Sequence, residues 1–344
     1  MAASTTRQVA TIGPIWRTRI AALAEVLAVL ATANIISVLV NRALGISSFR
    51  EEIAAVSEGA LPNYYTLALI SVGQLLFKWG IAFGLAYLIG RWHRNRSLGE
   101  YGVSKGRGSL GSYLALGIVA GLIVGFLSDF IVQVDIYTNG STDLVASANI
   151  GRGSLGFWVL AAASGFVLPP ILEELWMRGY AQTRLGEDYG VGTSIWFSAF
   201  IFGFSHTHFI QPDLLNLGTL ISIVISGLVL GYLFYATGSL IPPILAHAVI
   251  NLFATGPEMP IVLGGTILLA VVLWRPIFRY ARDIWSILSQ LDSRAWTIGG
   301  LLVIVLLTTA VAIIPNSLLL WVIVGPPLVI LYEYQERRWR MARY

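Results

Sequence analysis

An all-α, polytopic transmembrane helix bundle of about ten spans is the fold class this sequence predicts, and three observations predict it. Of 344 residues only 22 are Lys or Arg and 18 Asp or Glu, 12% charged, where a soluble domain carries about 25%. Hydrophobic residues make up 56% and the mean hydropathy is +0.75. Apolar runs recur at the length of about 20 residues that a helix needs to cross a hydrocarbon core. So few charges cannot coat a soluble protein of this size. The absence of cysteine excludes disulfides, thiolate metal sites and cysteine nucleophiles. A net charge of +4 does not point to nucleic acid; in a membrane protein the question is which loops hold the basic residues.

The candidate spans, eight at the least, are 20–41, 64–90, 110–133, 157–177, 191–210, 214–236, 239–256, 260–275, 298–314 and 317–333. The first follows Arg7, Arg17 and Arg19, and its apolar stretch is too long for a signal-peptide core, so it is expected to be retained. With the N-terminus inside, 18 of the 22 basic residues fall on the inner side, Arg42, Arg50 and Arg152 on the outer, and Lys78 within a span. That excess puts both termini in the cytoplasm, in a protein of the cell membrane. Loop 276–297 sets Ile277, Phe278, Ile284, Trp285 and Leu288 on one helical face and Arg279, Arg282 and Asp283 on another, the pattern of a helix lying on the membrane. Three regions follow: 1–109 with two spans and a basic loop, 110–256 with five spans, and 257–344 with the remaining spans, the interfacial helix and a basic tail.

Ionisable groups at membrane depth cost about 2.5–3.5 kcal/mol each, so each needs a reason. Region 110–256 holds three polar clusters. In the first, Pro169-Pro170 leads into Glu173-Glu174 and Arg178. Glu174 and Arg178 are i,i+4 and can pair on one face; Glu173 is turned about 100° away and has no such partner. The second is Phe202, His206 and His208. The third is His247 with Asn251, again i,i+4. With a helical turn centred near residue 188, Glu173 and His206 come to similar depth on antiparallel helices, while His247 sits shallower unless its helix is set deeper.

Several hydrolytic mechanisms lack their parts. There is no HExxH zinc motif, Asp129 alone is a candidate for an aspartyl dyad, and no serine is placed for Lys78. Ser164, in Ala-Ala-Ser-Gly, offers a serine-type alternative, although small residues around a serine are common in helix packing. What remains is a carboxylate with two imidazoles. Glu173 can act as general base on a water, helped by His206, with His247 and Asn251 stabilising the oxyanion. The same Glu173, His206 and His247 can instead bind one Zn²⁺ with an open fourth position. The residues leave both open. The lack of an obvious outer shell behind the histidines favours the metal-free version.

These motifs resemble the CAAX protease and bacteriocin-processing (CPBP, or Abi) family, whose hallmarks EExxxR, FxxxH and HxxxN (or HxxxD/B) stand in this order on successive helices. Here they are Glu173-Glu174-xxx-Arg178, Phe202-xxx-His206 and His247-xxx-Asn251. The flanks are similar too: Arg178-Gly179-Tyr180, and the run Gly238–Ala246 before His247. The resemblance spans about residues 110–255 and makes 110–256 the catalytic core. It implies an intramembrane endopeptidase, metallo or glutamic, in which Glu173 activates water, His206 assists, His247 and Asn251 complete the site, and Glu174–Arg178 is a structural ion pair. Membrane lipid and a protein or peptide substrate are the implied partners, not nucleic acid. Trp176-Met177 stands where the family usually has Phe, and the spans 298–333 have no counterpart in the motifs. The rival from another class is a non-enzymatic transporter or scaffold. A transporter would more often carry internal repeats, and the polar residues here are confined to 173–251.

Overall fold

The computed structural model describes residues 15–43, 72–139 (except 74, 105 and 107), 155, 156, 159, 162–206, 217–253, 259–302 (except 295 and 296) and 304. Among the described residues there are helices and turns and no strand, so the protein is an all-α bundle. Three helices are by themselves long and apolar enough to cross a membrane, Thr18–Ser37, Leu110–Val134 and Gly218–Thr237. The protein is integral to the membrane. Most of the expected spans 298–314 and 317–333, and the start of 64–90, lie outside the described residues.

Helix α1 (Ile15–Ala43) is a central element rather than a peripheral one, with 72% of its apolar window buried. Ala22, Val26, Leu30 and Ala33 form its buried row. Its one acidic residue, Glu25, is 1% exposed. Two groups answer it: the Tyr180 hydroxyl donates to Oε1 at 2.6 Å and Arg184 Nε to Oε2 at 2.7 Å.

A π-helical turn, π1 (Leu76–Gly80), leads into α2 (Ile81–Arg94). Helix α3 (Leu110–Asn139) presents Gly117, Gly121 and Gly125 in one row. A methyl group at these positions would come within 2.8 Å of Pro242 O, 2.7 Å of Ala246 O and 2.4 Å of the Phe253 ring. Only glycine permits this backbone approach, the small-residue packing common between membrane helices. It fixes how deep α8 (Ile241–Phe253), the helix of His247, sits against α3.

The expected span 157–177 is a composite. From Ala162 to Tyr189 the chain runs as π2 (Ala162–Val167), α4 (Leu168–Glu174), π3 (Leu175–Gln182) and α5 (Thr183–Tyr189). Pro169 and Pro170 supply no N–H to the preceding turn, which is where the ladder departs from α register. Gly190, at φ +78°, makes the sharp turn into α6 (Val191–Phe204). Helix α7 (Leu217–Thr237) packs on α6 where Gly227 lies so close that a methyl would be 2.9 Å from Ala199 Cα. Helices α9 (Met259–Val272) and α10 (Trp274–Leu288) meet at 85°. Along α10, Phe278 and Trp285 are exposed and Leu288 is buried.

Arg178 and Arg184 are both buried and ion-paired within the bundle, Arg178 with Glu174 as their i,i+4 spacing predicts and Arg184 with Glu25.

Candidate active site

Glu173 and Glu174 close α4 and Arg178 lies one turn on, in π3. Glu174 and Arg178 are both 0% exposed, and Arg178 Nη1 donates to Glu174 Oε1 at 2.7 Å. The guanidinium has two further neighbours: Nη2 donates to Gly227 O at 3.1 Å, and Cζ lies over the Phe202 ring, 4.6 Å from its centroid. The glycines of α7 make this contact possible. Gly227 and Gly231 expose their carbonyls, and Gln182 Nε2 donates to Gly231 O at 2.9 Å just as Arg178 does to Gly227 O.

His206 follows the end of α6 instead of lying inside a helix that runs to 210, because α6 stops at Phe204. Its Nδ1 is 2.6 Å from Phe202 O. A carbonyl only accepts, so Nδ1 carries the proton and Nε2 is the nitrogen turned to the site. There it stands 3.5 Å from Glu173 Oε2. That is too long for a direct hydrogen bond and close enough for one water to touch both. Phe202 organises the histidines, meeting the His206 ring edge-on at 4.6 Å and the His247 ring at 5.5 Å.

His247 is where the expected depth is corrected. The glycine row of α3 sets α8 deep enough that His247 Nδ1 lies 2.9 Å from Glu174 Oε1. His247 therefore engages the glutamate of the ion pair, and one oxygen of Glu174 serves both Arg178 and His247. The Asn251 carboxamide is bonded to backbone, Nδ2 donating to Gly165 O at 2.6 Å. Ser164 lies in π2, next to that carbonyl in sequence. His208 lies outside the described residues.

Lys78 is the residue that sequence reasoning undervalued, having weighed it only as a partner for serine. It lies in π1, donates from Nζ to Ser205 O at 3.4 Å, and sits 4.4 Å from the Trp79 ring centroid. Glu173 is within its electrostatic reach. A lysine in an otherwise apolar span was itself the available signal. Polar demand is concentrated here: Glu173 Oε2, Glu174 Oε2, Trp176 Nε1 and Arg178 Nε are buried without a hydrogen-bond partner. Such groups call for water or a peptide to complete them.

Zinc was the alternative to a free water. Among the described residues no three His, Asp or Glu converge closely enough to hold a metal ion. The set Glu173, His206 and His247 is split, since His247 turns to Glu174. One premise of the metal-free reading is nonetheless corrected, because both histidines do have outer partners, Phe202 O and Glu174. Elemental analysis of protein purified without chelator is expected to show no stoichiometric zinc. Zinc lost together with activity in His206→Ala would reverse that expectation.

Residues 155–253 match the family model described as type II CAAX prenyl endopeptidase Rce1-like. The matched segment contains all three motifs and leaves α1, π1 and α3 outside it. No curated protein and no solved structure matches the chain.

Proposed function

We propose, from the membership of residues 155–253 in the CAAX protease family, that this chain is an intramembrane endopeptidase acting on a membrane-associated protein or peptide. The observation that carries the reading is Glu173 facing His206 at 3.5 Å, beside a second histidine anchored on Glu174. Glu173 takes a proton from a water that His206 Nε2 orients, and the water oxygen attacks the scissile carbonyl carbon. His247, its Nδ1–H held by Glu174, donates from Nε2 to the oxyanion as the imidazolium, the form that carries a proton on both ring nitrogens. As the C–N bond breaks, the proton on Glu173 passes to the leaving nitrogen, giving one carboxylic acid and one amine and restoring the Glu173 carboxylate. Lys78 adds positive charge beside Glu173, from a helix outside the matched segment.

The test is cleavage by the purified protein of a C-terminally prenylated peptide and of the same peptide unmodified, read by mass spectrometry. Cleavage that disappears in Glu173→Ala and persists in Ser164→Ala supports the reading. The reverse pattern would make Ser164 the nucleophile. The family's prenylated substrates set the first choice of peptide, and nothing in the site requires the lipid.

Orientation belongs to the same reading: both termini in the cytoplasm, the protein in the cell membrane. Reporter fusions at residue 100 and at the C-terminus are expected to read inside, and loop 134–156 outside. An outward C-terminus would overturn the ten-span count.

A further inference from the structure

The geometry points to Asn251 as a positioning residue that clamps the helix carrying Glu173 at the one carbonyl its two prolines leave bare. The catalytic part of this inference rests on Glu173 being the base.

Gly165 O has two ordinary donors in a helix, the N–H of residue 169 in α register and of residue 170 in π register. Both are proline, and neither has an N–H. No other carbonyl of π2 loses both, because Ser164 O retains residue 168 and Phe166 O retains residue 171. Gly165 is half-buried in a membrane bundle, where a backbone carbonyl without a partner is costly because lipid offers no donor. Asn251 supplies the missing donor, Nδ2 to Gly165 O at 2.6 Å. One turn back on the same face of α8, His247 meets Glu174. Helix α8 thus holds the rod 162–189 at two points, Gly165 and Glu174, and α3 locks α8 through its glycine row. Glu173 lies between those two points in sequence. One of the two Nδ2 hydrogens of Asn251 is committed to this clamp, and through it substitution of Asn251 acts on catalysis by loosening the placement of Glu173.

The experiment is a double-mutant cycle with Pro169→Ala, which returns an N–H to Gly165 O in α register. Melting temperature and kcat and KM for peptide cleavage are measured in one detergent. Asn251→Ala is expected to lower the melting temperature and to cut kcat by about 10²-fold with KM unchanged, the scale of a small misplacement of a catalytic group. Pro169→Ala alone should stay near wild type. The double variant should recover at least about tenfold in kcat, and part of the melting temperature, since coupled residues are non-additive. Purely additive losses would overturn the clamp. Coupling in melting temperature without coupling in kcat would overturn the positioning role and leave Asn251 in the oxyanion site. Should Pro169→Ala not fold, Pro170→Ala restores the donor in π register and takes its place. Asn251→Asp, which sets an acceptor against an acceptor, must in any case be at least as impaired as Asn251→Ala; wild-type behaviour there sinks the proposal. The melting-temperature cycle reads the clamp even if Glu173 proves not to be the base.

Discussion

Glu173→Gln is expected to cut turnover by about 10²–10⁴-fold, the usual contribution of a general base, while the melting temperature stays level or rises slightly. The substitution keeps the shape of the side chain and removes only the charge. Glu173 is 4% exposed and its Oε2 makes no hydrogen bond, so what the fold loses with the charge is chiefly its attraction for Lys78, offset by no longer burying a carboxylate. What it faces is His206 Nε2 at 3.5 Å, an arrangement suited to a shared water. An amide does not take the water's proton. Substrate binding should persist, so the loss belongs in kcat rather than KM. Cleavage kinetics and thermal melting on the same preparation check both halves. Near wild-type turnover would remove Glu173 from the mechanism, and a large drop in melting temperature would make it structural.

Glu174→Gln should behave differently, because it leaves the Arg178 cation buried at 0% exposure without its counter-charge. Breaking a buried pair from one side typically costs about 3–5 kcal/mol, and expression and melting temperature should fall accordingly. From the sequence alone, activity should drop only as a consequence of instability. The structure changes that expectation. Glu174 Oε1 also holds His247 Nδ1 at 2.9 Å, so turnover should fall directly as well. The two effects separate in Glu174→Gln/Arg178→Met. Removing both charges should restore part of the stability, since replacing a buried pair by uncharged residues is far less costly than orphaning one partner. Turnover should stay low, because His247 still lacks its anionic partner. If the double variant regains both stability and turnover, Glu174 acts on the fold alone.

The sequence by itself determined what depends on composition and on short-range periodicity. A charge content of 12% requires a membrane bundle. Helical spacing puts Glu174 beside Arg178, Phe202 beside His206 and His247 beside Asn251, since residues four apart share a face whatever the rest of the chain does. The order of the three motifs was enough to carry the family resemblance. Tertiary structure decided which of these pairs meet. His247 reaches Glu174 because glycines at 117, 121 and 125 of a different helix allow backbone contact and so set its depth. Lys78 enters from π1, far away in sequence, and Asn251 is drawn to Gly165 by a carbonyl that prolines strip of its donors. Proline's missing N–H could be read in advance, but the side chain that answers it could not. Local hydrogen-bond deficits are written in the chain, whereas the partner that fills them depends on how closely and how deeply helices pack, and that is set by contacts spread over the whole bundle.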